Sequence, residues 1–233
     1  MSDIMITQTI LQGEILAERT RWPNPNPDRI KAITKDGPKL LDLWDASPVQ
    51  RVCDALSTEV ILDLLYPDDP WLCIGKTLKY CPTRTLKFWR KEKLDDYQFI
   101  VPNPMTGPKG ITKRGNLSSR TNSNTDQRRY LVTDFDQGTL DQQAAIIWYL
   151  QDYAELTLVM FTGGKGLHAW FNVYNYPEED VKWFFQYAVS VWADRKMWTP
   201  CQLARLPDGL RRDGKKAARQ SVFYFDPTNV ALS

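Results

Sequence analysis

Tyr130, Leu131, Val132, Thr133, Asp134, Phe135, Asp136 is the stretch from which the rest of the chain can be read. Side chains alternate along a strand, so Asp134 and Asp136 project together while Leu131, Thr133 and Phe135 point the other way. Two carboxylates one residue apart at the end of an apolar strand repel each other and lose hydration. A divalent cation or strong hydrogen bonding is needed to keep both ionised, and oxygen-only ligands favour magnesium or manganese. The plain alternative is a strand that ends in a turn at Gln137 and Gly138. Asp-x-Asp alone also occurs in sugar-nucleotide glycosyltransferases and metal-dependent nucleases, so it does not choose a chemistry.

Outward from this strand the pattern is regular. Thr139 and Gln142 form a capping box that opens a helix with Leu140, Ala144, Ile147 and Leu150 on one face. Leu156 to Phe161 and Leu167 to Val173 predict two strands joined by a glycine turn. Pro177, followed by Glu178, Glu179 and Asp180, starts a second helix with a stripe of Val181, Phe184, Phe185, Ala188, Val191 and Trp192. A last strand is expected over Gln220 to Phe225. Strand, helix, strand, strand, helix, strand is the split pattern of ferredoxin-like and RNA-recognition folds, with both helices on one sheet face. Leu167, Ala169 and Phe171 form the core row of the third strand, which puts His168 and Trp170 on the face of Asp134 and Asp136, left available for chemistry or for another module. The earlier half predicts helices over Ile6 to Arg21 and Pro48 to Leu65, a proline-broken loop at Trp22 to Pro27, strands at Trp71 to Ile74 and Tyr97 to Val101, and a long polar connection from Pro102 to Arg129. The fold class is α/β in the α+β sense: an N-terminal module over residues 1–129 and a C-terminal half over residues 130–233.

Two further blocks carry chemistry. Thr162, Gly163, Gly164, Lys165, Gly166, Leu167, His168 is a glycine turn whose amides and lysine suit phosphate oxygens, and His168 is the only histidine. Past the second helix come Asp194 and then Arg205, Leu206, Pro207, Asp208, Gly209, where a proline-held arginine offers paired donors to phosphate. Gly75, Lys76, Thr77 fails as a phosphate loop because Pro70 stands where the leading glycine is required.

The 233 residues carry 30 Lys and Arg against 28 Asp and Glu, a net charge of +2 that is unevenly placed. Lys109, Lys113, Arg114, Arg120, Arg128 and Arg129 oppose only Asp126, and Arg205, Arg211, Arg212, Lys215, Lys216 and Arg219 form a second cluster. Cys53, Cys73, Cys81 and Cys201 are too widely spaced for a zinc or redox motif and read as reduced thiols, two of them in the core. No apolar run approaches the roughly 20 residues of a membrane span. The first residues show neither a basic leader nor a cleavage site, so a cytoplasmic protein without membrane partners is expected.

Taken together, the three blocks resemble the archaeo-eukaryotic primase superfamily, especially the primase-polymerases of plasmids, phages and other mobile elements. The first family motif, an apolar strand ending in Asp-x-Asp or Asp-x-Glu, resembles Leu131 to Asp136. The second, a small residue, any residue, then histidine, resembles Gly166, Leu167, His168. The third, an acid after a hydrophobic residue upstream of an arginine-proline turn, resembles Ala193, Asp194 with Arg205 and Pro207. The resemblance spans roughly Arg128 to Pro227, and Gly166 departs from the serine common in the second motif.

The resemblance implies an RNA-recognition-like catalytic half packed on the N-terminal module. It implies Asp134, Asp136 and Asp194 as ligands of two magnesium or manganese ions, with Asp208 competing as third acid, and no zinc. His168 would be catalytic and, with Lys165, Gly166 and Arg205, would meet the phosphates of a nucleoside triphosphate. Lys113, Arg114, Arg120, Arg128, Arg211, Arg212, Lys215 and Lys216 are the expected contacts to a single-stranded DNA template. The implied activity is template-directed nucleotidyl transfer in replication, with a helicase or replication initiator as a partner. A non-catalytic RNA-recognition-type binding module, with Trp170 as an exposed aromatic, and a metal-dependent nuclease are the competing readings.

Overall fold

The computed structural model describes residues 22–49, 56–213 and 216–232. The helix expected over Ile6 to Arg21, Cys53, Lys215 and part of the helix expected over Pro48 to Leu65 lie outside the described residues.

In the first half, α1 (Pro27–Lys35) begins where the proline run ends. The Asn26 side chain accepts the Arg29 amide at 3.0 Å, and Pro27 occupies a first-turn position that needs no amide donor. α2 (Leu40–Asp45) and α3 (Thr58–Leu65) follow, the latter capped by Ser57. Then come β1 (Trp71–Gly75), β2 (Thr83–Thr85), the single turn α4 (Leu86–Trp89) and β3 (Phe99–Ile100). The polar connection is not featureless: it holds a small hairpin of β4 (Gly110–Ile111) and β5 (Leu117–Ser118). The second half comprises β6 (Tyr130–Phe135), α5 (Leu140–Leu150), β7 (Glu155–Phe161), β8 (Leu167–Asn172), α6 (Glu178–Ser190), β9 (Ala204–Arg205), β10 (Leu210–Asp213), β11 (Lys216–Arg219) and β12 (Val222–Phe225). The Thr139 and Gln142 capping box forms at α5 as its spacing predicts. α6 stops at Ser190, and Trp192 takes a left-handed backbone instead of extending the helical stripe.

Among the described residues the architecture is mixed α/β with antiparallel sheets. One sheet runs β2-β1-β3-β9 and another β12-β7-β8-β6. In the second sheet the elements follow one another as read from the sequence, but β12 pairs with β7, whereas a ferredoxin-like sheet sets its last strand beside its first. β9 lies late in the chain and pairs with β3 of the first sheet, Phe99 opposite Arg205, and the main apolar core draws on both halves.

The register sets Asp134 opposite His168 and Val132 opposite Trp170, so these side chains share a face as expected. That face is not open. Tyr130 is 1 % exposed, Val132 2 % and Trp170 0 %, because Tyr66 and Tyr130 meet edge to face at 5.9 Å and Tyr130 packs on Trp170 at 5.7 Å. The Tyr66 and Tyr130 hydroxyls donate to the Pro102 and Leu65 carbonyls at 2.6 and 3.1 Å, which lets two phenols be buried without orphaned polar atoms. Each such aromatic contributes about 1.5–3 kcal/mol by leaving water, so Tyr66 from the N-terminal half and Ala231 from the C-terminal tail hold firmly to the Tyr130 end of this face. Asn103 anchors the start of β6: its Oδ1 accepts the Arg129 and Tyr130 amides at 2.8 and 3.0 Å, and its Nδ2 donates to the Pro200 carbonyl at 2.9 Å.

Candidate functional site

The uncovered end of that face is a polar cleft of about 290 Å³ lined by Asp134, Asp136, Thr162, Gly164, Lys165, His168, Arg205 and Arg211. Four separated segments meet here because β6 and β8 are paired, β9 is drawn across from the other sheet, and the β10 and β11 hairpin lies over the glycine turn. Close approach dictates the glycines. A Cβ on Gly166 would stand 2.0 Å from the Phe135 carbonyl oxygen and 2.7 Å from Asp136 Oδ1. The serine common at this place in the resembling family has no room here. Gly163 has φ +73°, and a Cβ there would meet the Cβ of Arg211 at 3.0 Å. Gly166 therefore acts through shape, seating the turn against the acidic strand end.

His168 is 4 % exposed, and both of its ring nitrogens are engaged. Nδ1 accepts the Arg205 backbone amide at 3.3 Å, which leaves Nε2–H to face Asp134 Oδ1 at 3.4 Å. One ring thus ties the acidic strand to the arginine strand. Burial by itself pushes the Asp134 carboxyl up, but His168, then Arg205 and Lys165, outweigh it and hold the group below the usual carboxylate value. Asp136 is more open, with Lys165 Nζ 3.9 Å from its Oδ2, a solvent-exposed pair that contributes little energy.

The Arg205 guanidinium lies over the Phe99 ring at 4.6 Å. Burial lowers its hold on a proton, Arg211 lowers it further, and Asp134, Asp136 and Asp213 oppose both. Two guanidiniums directed at one space form an arrangement that a polyanion relieves. Arg211, placed by its sequence among template contacts, is thus a wall of the cleft, as is Thr162, the first residue of the glycine turn.

Asp134 and Asp136 also line a second cleft of about 290 Å³ on their other side, with Pro23, Asn24, Pro25, Gln137, Val189, Trp192, Ala193, Asp194 and Arg195. Asp194 belongs here: its amide donates to the Asp134 carbonyl at 2.9 Å, and Phe135 bridges Ala193. It is not a helix-end carboxylate opposed by a dipole, because it caps the short 3-10 turn Arg195–Trp198 and accepts the Lys196 amide at 3.0 Å. Asp208 lies elsewhere, buried against Arg219 at 3.2 Å in a cavity with Ser57, Thr58, Glu59, Lys93 and Asp95. The structure separates the two competing acids, leaving Asp194 beside the pair. Trp192 has φ +87°, a conformation that costs a non-glycine residue about 1–3 kcal/mol, and no sequence signal announces it.

Among the described residues no group of three or more His, Cys, Asp and Glu side chains is gathered as a metal site. The donors nonetheless suit a hard cation. Asp134 is held ionised and Asp136 is accessible on the same strand end, while Asp194 has to turn from the Lys196 amide to join them.

The expected template contacts divide. Lys113 and Arg114 are exposed at the tip of the β4 and β5 hairpin, and Lys216 is exposed on β11. Arg120 donates to the Cys201 carbonyl at 3.3 Å, and Arg212 pairs with Asp96 at 2.7 Å. Arg128 is committed to the interior, with Glu178 at 2.9 Å and the Trp198 ring at 4.5 Å. Arg129, beside it, grips Asp68 with both terminal nitrogens at 2.6 Å. Cys73 and Cys81 are buried free thiols and Cys201 is half-buried, and burial pushes the Cys73 thiol up to about 12. No helix of the described residues is long and apolar enough to cross a membrane. No protein-family model, curated protein or solved structure matches this chain.

Proposed function

We propose that the chain is a template-directed nucleotidyltransferase, a primase-polymerase that joins nucleotides on single-stranded DNA. The observation that carries this reading is the cleft in which Asp134 and Asp136 face Lys165, His168, Arg205 and Arg211. Paired carboxylates opposite several cations are the complement of a triphosphate that must be both held and attacked. The element order β6, α5, β7, β8, α6, β12 is read as the RNA-recognition-like half, with its last strand moved beside β7.

In this reading the triphosphate lies along Lys165, Arg205 and Arg211, whose charges draw its oxygens. Arg205 offers its planar fork from a ring-stacked position, and the backbone of the glycine turn borders the same space. Asp134 and Asp136, with Asp194 beside them, would hold magnesium or manganese, which when bound polarises the α-phosphate and stabilises the attacking and leaving oxygens. His168 keeps Asp134 and β9 in register, so it serves the chemistry by positioning. Template phosphates meet Lys113, Arg114 and Lys216, an attraction that weakens as salt rises. The burial of Tyr130 and Trp170 removes the aromatic platform on which an RNA-recognition-type binding module depends. A cytoplasmic role in replication, with a helicase or initiator as partner, completes the proposal.

Steady-state incorporation with Lys165→Ala and Arg211→Ala tests the phosphate assignment. Each variant is expected to raise the nucleotide KM by about tenfold or more, as loss of a charge-assisted hydrogen bond requires. Strand cleavage without incorporation overturns the reading in favour of a nuclease.

A further inference from the structure

Asp134 and Asp136 are shared by two clefts of opposite character, and nucleotidyl transfer as proposed above fills only one of them. The cationic cleft has Lys165, His168, Arg205 and Arg211. Among the described residues the other is lined by no lysine and by one arginine, Arg195, which is exposed. Its lining includes the proline run Pro23, Asn24, Pro25 and the Trp192 side chain, with Gln137, Val189, Ala193 and Asp194.

Trp192 is built into this position at some strain. Its backbone is left-handed at φ +87°, and its ring lies so close to the Gly138 turn that a Cβ on Gly138 would stand 2.6 Å from Cζ3. Gly138, itself at φ +72°, therefore supports one part of an indole that stays only partly buried. The Trp22–Pro27 segment, which shares the lining, is anchored on α6: the Asn26 amide donates to the Ser190 carbonyl at 2.8 Å, and Trp22 packs on Phe185 at 5.5 Å. A cleft lined by an indole, two prolines, an exposed amide at Asn24 and a pair of carboxylates suits a nucleoside, with the base on the indole and the sugar toward the acids.

We infer that this second cleft, formed by Trp192, Pro23 to Pro25 and Arg195, receives the 3′-terminal nucleoside of the strand being extended. The 3′ oxygen then approaches from the side of Asp134 and Asp136 opposite the triphosphate. It bonds to the α-phosphorus as the bond from that phosphorus to the bridging oxygen breaks. Pyrophosphate departs with the electron pair, and the hydroxyl proton passes to water. Arg195 meets the phosphate that precedes the terminal sugar. The inference rests on the nucleotidyl-transfer reading for its chemistry but not for its binding test.

The test uses a single-stranded oligonucleotide carrying 2-aminopurine as its 3′-terminal base, titrated into the protein without nucleotide. Stacking on the indole quenches the probe on binding. Quenching is expected to be lost in Trp192→Ala and kept in Trp192→Phe, with a 5′-terminal probe unquenched in every case. In primed extension, Trp192→Ala is expected to raise the primer KM between about fivefold and about 150-fold, the range for losing one stacked base, with the nucleotide KM within about twofold. Arg195→Ala is expected to weaken primer binding and lower the salt slope by about one. Equal quenching of both probes, quenching that survives in Trp192→Ala, or a shift confined to the nucleotide KM overturns the inference. If Trp192→Ala is poorly folded by its thermal melt, Arg195→Ala and the comparison of probe ends decide. A wild type that quenches the 3′ probe and incorporates nothing sinks nucleotidyl transfer and leaves the subsite standing.

Discussion

Gly166→Ala is the substitution whose effect can be worked most directly from the geometry. The added Cβ would stand 2.0 Å from the Phe135 carbonyl oxygen, where ordinary contact begins at 3.4 Å, so backbone must yield by more than 1 Å. The neighbour is a strand carbonyl and cannot rotate aside as a flexible side-chain tip does. Either the end of β6 moves or the 162–166 turn opens, which strains the Thr162 amide bond to the Gly166 carbonyl at 2.9 Å. Overpacking costs about 1–3 kcal/mol and a lost backbone hydrogen bond about 1 kcal/mol more, so a loss near 3 kcal/mol is expected. Asp136 moves with β6, and a displacement of about 1 Å at a reacting group costs on the order of a hundredfold in rate. Gly107→Ala is the control, because nothing lies within 4 Å of its added Cβ, and it should change stability by less than about 1 kcal/mol. Urea denaturation with an unchanged m-value, followed by nucleotide incorporation, reads both effects. A Gly166→Ala protein that loses less than about 1 kcal/mol and retains full incorporation would refute the reasoning.

Other expectations follow from the same geometry. Arg128→Ala should destabilise the fold by about 1–3 kcal/mol, since it removes the hydrogen bond to the Trp198 carbonyl and the contact with its ring while the exposed Glu178 rehydrates, and should leave the salt slope of single-strand binding unchanged; Lys113→Ala and Arg114→Ala should do the reverse, each lowering that slope by about one. A salt slope that falls with Arg128→Ala contradicts its inward assignment. The Asp134 carboxyl is held below its ordinary value, so its contribution to stability is present above that value and is lost as pH falls through the lowered one. Compared with Asp134→Asn by urea titration, the wild-type advantage should be full near neutral pH and fade only in strong acid. An advantage that grows on acidification would show that burial, not His168 and the cations, governs the group.

The parts of the fold legible in the sequence are those whose signals are local. Alternation in Tyr130 to Phe135, the Thr139 and Gln142 box, and the acidic first turn of α6 each place an element without reference to the rest of the chain. Neighbour relations are less legible: nothing local tells β12 to pair with β7, or the two residues of β9 to join β3. Charge counting likewise cannot distinguish inward from outward arginines. Arg128 and Arg129 sit in a basic run, yet their partners Glu178 and Asp68 lie 50 and 61 residues away in the chain. The acidic pair, the glycine turn from Thr162 to Lys165, His168 and Arg205 are legible by type and order, and the structure brings them together; Arg211 enters that cleft, and Trp192 the neighbouring one, through tertiary packing. Alternation gives the face of Trp170 but not what covers that face, so the exposure expected of it is absent in the structure.

The measurement that bears most directly on the proposed activity is incorporation of labelled nucleotides on single-stranded templates, with and without primer, in magnesium or manganese. Wild type is compared with the double variant Asp134→Ala and Asp136→Ala. The double variant gives up the stability that ionised Asp134 adds, so its thermal melt is read beside the assay, and the folded variant should lose template-dependent products by several orders of magnitude. Products formed without primer would make the enzyme a primase as well as a polymerase. A folded wild type that binds single strands and incorporates nothing, or a double variant that incorporates normally, would contradict the account.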